Sequence, residues 1–249
     1  MSEPRREALA LMAHPDDAEL LCAGTLIRLH QLGWQIHIAT MTAGDCGTTT
    51  LSAAEISEIR RREAQRAAQT LGASYYCLDE LDGHVVYDKQ TIRRVVALFR
   101  SIAPTLVFTH APRDYMMDHE ITAMLARCAT QLFGAPNASA VPLRAPAGIP
   151  HLYYCDPIEG IGPLGEPVTP TTLIDISGAL EQKSLALSCH ASQREWLRAH
   201  QGMDEYIEAM KRHAQMRGKM IGTEAAEGFT QHRSHGYPKT DLLSQLLTF

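Results

Sequence analysis

His14 and Asp17 stand three residues apart at the end of an apolar run over residues 8–13, with Pro15 and Asp16 between them. An imidazole nitrogen and a carboxylate oxygen are both ligands for a divalent cation. The spacing lets both reach one ion, Pro15 fixes the backbone between them, and Asp16 remains a second carboxylate able to act on a water. A catalytic zinc site takes about three protein ligands and keeps one position open. His119, at the start of a helical pattern over 120–132, is the expected third ligand. His110, directly at the end of the apolar run 105–109, competes with it, and spacing alone does not separate the two. Two histidines and one carboxylate also describe non-haem iron(II) sites, so the residues admit Fe²⁺ beside Zn²⁺. The competing account of Asp16 and Asp17 is helix capping, in which carboxylates satisfy the free amides of a first turn.

Such side chains need a scaffold, and the chain supplies one in alternating patterns. Apolar runs at 8–13, 35–41, 74–78 and 105–109 read as strands, and 20–32, 53–71 and 91–102 as helices. This alternation implies a mostly parallel sheet with right-handed crossovers, broadly a doubly wound α/β fold flanked by helices. Strand ends followed by polar loops then form one rim, where open α/β sheets bind ligands. The Thr- and Gly-rich loop 42–52 belongs to that rim. Further strands are expected at 151–155 and 172–176, and helices at 179–189 and 194–219. In the second helix, Met203, Tyr206, Ile207 and Met210 recur at helical spacing as core or subunit contact. Residues 134–150 hold four prolines and read as an irregular connection. The polar, aromatic segment from about 228 onward shows no periodicity. A single domain over 1–249 is expected, its C-terminal segment covering the active site.

The 249 residues carry a net charge of -5, which argues against nucleic acid or an anionic membrane surface as a partner. No window approaches the roughly 20 apolar residues of a membrane span, so a cytoplasmic protein is the default. Six scattered cysteines contain no C-x-x-C pair, which points to reduced thiols and away from a zinc finger. A dinucleotide-binding oxidoreductase is excluded because the first strand runs into His-Pro-Asp-Asp rather than a glycine-rich turn.

Ala13-His14-Pro15-Asp16-Asp17-Ala18-Glu19, with Gly24-Thr25-Leu26 downstream, resembles the signature of the PIG-L/LmbE-like de-N-acetylases. The likeness continues through Thr42-Ala43-Gly44-Asp45-Cys46-Gly47, Arg60 with Glu63, and Asp114-Tyr115 with Asp118-His119. It ends with Lys183, His190-Ala191-Ser192-Gln193 and Ala226-Glu227-Gly228-Phe229. The resemblance implies an α/β Rossmann-like fold, Zn²⁺ held by His14, Asp17 and His119, Asp16 as general base, and removal of acetyl groups from N-acetylated amino sugars or glucosaminyl conjugates. Arg60, Asp45, Asp114 and Tyr115 are then candidates for substrate contact, and a homo-oligomer is expected. Members of the family commonly carry a histidine three residues before the third ligand, where this chain has Met116. A thioether neither stabilises an oxyanion nor protonates an amine. His232 and His235 in the tail are the expected substitutes, with Tyr115 and His110 behind them. The rivals are an iron enzyme on the same triad and a sugar-binding relative without catalysis.

Overall fold

Every position of β1 (Glu7–Met12) is buried, as a strand covered on both faces requires. The computed structural model describes residues 5–144, 148–201 and 206–248. Six further strands, β2 (Gln35–Thr42), β3 (Ala73–Glu80), β4 (Leu106–Thr109), β5 (His151–Cys155), β6 (Thr172–Asp175) and β7 (Ala226–Gln231), join β1 in one sheet. Their order is β3-β2-β1-β4-β5-β7-β6. The first five strands pair in parallel, whereas β7 runs antiparallel to β5 and to β6. Along β1, Ala8, Ala10 and Met12 enter one core and Leu9 and Leu11 the other, the period of two that a strand imposes.

Helices cover both faces: α1 (Asp17–Leu21), α2 (Ala23–Gln31), α3 (Ala53–Thr70), α4 (Lys89–Ile102), α5 (Met117–Leu132), α6 (Leu180–Leu187), α7 (Ala191–Gln201), α8 (Tyr206–Ile221) and α9 (Leu242–Leu247). A reciprocal capping box between Ser52 and Glu55 starts α3 directly after the loop 42–52. Among the described residues no helix is long and apolar enough to cross a membrane.

Three expectations change. The helix expected over 20–32 begins at Asp17 and breaks at Cys22, because the Glu227 carboxylate accepts from the amides of Gly24 (2.8 Å) and Thr25 (2.7 Å) and so caps a new start for α2. The pattern over 194–219 divides into α7 and α8; Met203 lies outside the described residues. The segment read as an aperiodic tail opens with part of β7. Its sequence, AEGFTQ, lacks apolar alternation because both faces are covered, and Glu227 is paired with Lys183 Nζ at 2.6 Å instead of facing solvent.

Candidate metal centre and active site

Beyond β1 the chain turns at His14, and Asp16 takes a left-handed conformation (φ 100°) that a non-glycine residue rarely adopts. Asp17 then opens α1, and its Oδ2 accepts the His14 amide at 2.7 Å. This tight turn places the His14 ring beside the Asp17 carboxylate, with Nδ1 3.4 Å from Oδ2. The other ring nitrogen, Nε2, faces Asp82 Oδ1 at 3.0 Å and Asp118 Oδ2 at 3.3 Å. Asp118 also accepts the amides of Gly83 (2.7 Å) and Val85 (3.2 Å), so the loop after β3 is tied to the start of α5. Burial alone would lower the His14 pKa, but the hydrogen bonds of Asp118, Asp17 and Asp82 outweigh it and hold the imidazole well above its ordinary value.

His119 arrives from the first turn of α5. Its Nδ1 donates to Asp114 Oδ1 at 2.9 Å, which leaves the Nε2 lone pair free. That atom is buried, has no hydrogen-bond partner, and lies 3.7 Å from Asp17 Oδ1. Ligand atoms of His14, Asp17 and His119 all lie within 4.8 Å of one another. Two nitrogens and a carboxylate of this kind suit a divalent ion. Burial would raise the Asp17 carboxyl, yet the neighbouring His119 and His110 hold it well below the usual carboxylate range, ready to ligate.

His110 stacks on His119 with ring centroids 3.8 Å apart, which is why sequence spacing could not choose between them. Direction does. His110 Nε2 accepts the Ala13 amide at 2.9 Å, which occupies the lone pair a metal would need. Burial, helped by His119, pushes its pKa down to about 4, so the ring is neutral.

Behind the centre, Arg60 of α3 is buried; its Nη2 donates to the Pro15 carbonyl at 2.8 Å and its Nη1 to the Gly44 carbonyl at 3.2 Å. Gly44 (φ +71°) and Gly47 leave the room it occupies, since a Cβ at Gly47 would fall 2.8 Å from Nη1 and one at Gly44 nearer still. Arg60 therefore braces the Asp16 turn. Asp114 is likewise committed to His119, and Asp45 Oδ1 accepts the Asp82 amide at 2.8 Å. Of the four contact candidates, Tyr115 is the open one, 62% exposed and edge-on to His119.

A family model for GlcNAc-PI de-N-acetylases (PIG-L) matches residues 9–130. A 4-oxalmesaconate hydratase of Pseudomonas putida is 30% identical over 202 residues, covering 78% of this chain and 76% of that protein. The chain belongs to the PIG-L family. A diacetylchitobiose deacetylase of Thermococcus kodakarensis is 28% identical over 194 residues, 76% of this chain and 70% of its own. The solved N,N'-diacetylchitobiose deacetylase of Pyrococcus horikoshii superposes with a TM-score of 0.77 at 25% identity, covering 95% of this chain and 88% of that one. The fold is thus shared with known PIG-L relatives.

The tail of this PIG-L chain departs from expectation. β7 is antiparallel to β5, with Gln231 opposite Tyr153 and Phe229 opposite Cys155, so it ends where β5 begins. His232 donates its amide to Leu152, and its ring contacts Tyr154 and Ser234. His232 and His235 therefore sit at the rim opposite the metal candidates. From the sequence, Asp118 enters only as part of the family motif and Tyr206 only as a packing residue, and Asp82 is missed; for Asp82 the available signal was the Asp-Gly turn beyond the third strand of the same rim.

Proposed function

We propose that the chain is a metal-dependent hydrolase that removes the acetyl group from an N-acetylated amino sugar or glucosaminyl conjugate, with Zn²⁺ as the working ion and Fe²⁺ the alternative. The observation that carries this reading is the orphaned His119 Nε2, aimed at Asp17 and His14 while a second carboxylate, Asp16, stays outside that ligand set. A divalent ion held by His14, Asp17 and His119 supplies Lewis acidity, which lowers the pKa of a water and polarises a carbonyl. Asp16 accepts the proton of the attacking water, and the amide divides into acetate and a free amine. Tyr115 lies at the mouth and meets the substrate, while Asp45 shapes the adjoining loop. Asp82 and Asp118 orient His14 through the nitrogen that does not face the ion. Exposed Leu81, Tyr115, Met117 and Leu164 on the rim loops favour a homo-oligomer, which sedimentation would measure; the cytoplasm is the expected compartment.

The test is acetate release from N-acetylglucosamine, N,N'-diacetylchitobiose and glucosaminyl conjugates by zinc-loaded wild type and Asp16→Asn. Loss of the base is expected to slow release by about 10²- to 10⁴-fold. Equal release by both proteins would overturn the assignment.

Hydration of a conjugated unsaturated acid is the second reading. Met116 stands where an imidazole could protonate a leaving amine, and the tail histidines lie at the far rim. Adding water to a double bond expels no amine, so that gap matters less. Loss of diene absorbance from an unsaturated dicarboxylate, without acetate release from any amide, would favour it.

A further inference from the structure

Tyr206 begins α8 and is 7% exposed, packed with Leu187 and Met210 and against Leu20, Leu180 and Ile207. In this apolar seam its hydroxyl donates to Asp16 Oδ2 at 2.7 Å. The other oxygen, Oδ1, lies 3.6 Å from Arg60 Nη2. Asp16 is therefore gripped at both oxygens while its backbone is fixed in the left-handed region. A phenylalanine would fill the same apolar space. A buried hydroxyl is unfavourable unless it is used, and here its use is a short, directional hydrogen bond to a carboxylate.

We propose that Tyr206 is a positioning residue for the general base: its hydroxyl holds Asp16 Oδ2 so that the carboxylate meets water in one orientation. The inference rests on the reading of Asp16 as base, and it applies to hydrolysis and to hydration alike. Helix α8, read from sequence as packing alone, then completes the site across the sheet rim.

The experiment compares wild type, Tyr206→Phe, Asp16→Asn and the double variant, all zinc-loaded, on N,N'-diacetylchitobiose, together with zinc affinity by chelator competition and ¹³Cζ-tyrosine NMR of the full chain. Tyr206→Phe is expected to lower kcat by about 10- to 100-fold, the scale of a misplaced catalytic group, with KM and zinc affinity unchanged. The double variant is expected to match Asp16→Asn within about two-fold, since Tyr206 acts only through that carboxylate. In the spectra, Asp16→Asn should shift one of the eight tyrosine signals, the one missing from Tyr206→Phe. Unchanged kcat in Tyr206→Phe, a double variant slowed by the product of the two single losses, or no tyrosine shift in Asp16→Asn would each overturn the proposal. If wild type releases no acetate, the deacetylase reading fails on its own, and the NMR comparison alone decides for or against the Tyr206–Asp16 contact.

Discussion

Gly44→Ala should be among the most damaging single-methyl changes in this protein, and the reason is specific to Arg60. At φ +71° an alanine is held in the left-handed region, which costs about 1–2 kcal/mol. Its Cβ would also fall on the Arg60 guanidinium, a buried group hemmed in by Gly47. If the guanidinium must leave, its hydrogen bonds to the Gly44 and Pro15 carbonyls go with it, and each charged hydrogen bond contributes about 1.5–3 kcal/mol. The sum, about 4–8 kcal/mol, is comparable to the roughly 5–15 kcal/mol that holds a typical domain together. Urea unfolding of metal-free protein, followed by circular dichroism, measures it. In an Arg60→Ala background the clash partner is absent, so Gly44→Ala should cost only the backbone penalty of about 1–2 kcal/mol. A loss equal in both backgrounds within about 0.5 kcal/mol would refute the cradle.

Three other outcomes follow from the same geometry. His119→Ala should abolish stoichiometric zinc binding while His110→Ala retains it, because only the His119 Nε2 lone pair is free; metal analysis after dialysis that finds equal retention in both would reverse the ligand choice. His232→Ala and His235→Ala should each leave acetate release within about two-fold of wild type, since the tail lies at the far rim; a large fall in either would mean that it reaches the site in solution. Burial would raise the Asp241 carboxyl, but hydrogen bonds from Thr172, Ser244 and Tyr153 outweigh it and hold its pKa below the ordinary value. The folded protein therefore binds that proton less readily than the unfolded chain, and the stabilisation is complete above about pH 4 and lost as pH falls through the folded pKa. The stability gap between wild type and Asp241→Asn, read from urea midpoints, should shrink from about pH 5 to pH 3, and a constant gap would disprove the linkage.

What could be read in advance depended on whether a residue acts through local pattern or through distant packing. β1 and β4 were legible because strands covered on both faces read as nearly continuous apolar runs, and the turn after β1 was legible because four consecutive residue types carry its chemistry. β7 was not, since its polar residues are buried by partners far away in the chain, as Glu227 is by Lys183 and the start of α2. His119 and His110 both lie on the rim, and only the direction of a lone pair, set by Asp114 in one and by the Ala13 amide in the other, distinguishes them. Tyr206 had the spacing of a packing residue and is one, except for its hydroxyl.

The reversal of a single strand also bears on the chemistry. Had β7 run parallel to β5, its following residues would have emerged beside the metal candidates, and the tail histidines could have supplied the imidazole that Met116 does not. Because it runs the other way, the tail histidines do not reach that face, and the protonatable side chains described around Asp16 are Tyr206, Tyr115 and the buried His190, with His110 neutral and its Nε2 engaged. Tyr206 already gives its proton to the Asp16 hydrogen bond, and Tyr115 lies on the open side of His119. On the proposed reading, Asp16 itself can return to the leaving amine the proton it takes from water, one carboxylate serving first as base and then as acid. Such a shuttle needs a carboxylate that does not wander between the two steps, and the paired grip of Tyr206 and Arg60 provides that constraint.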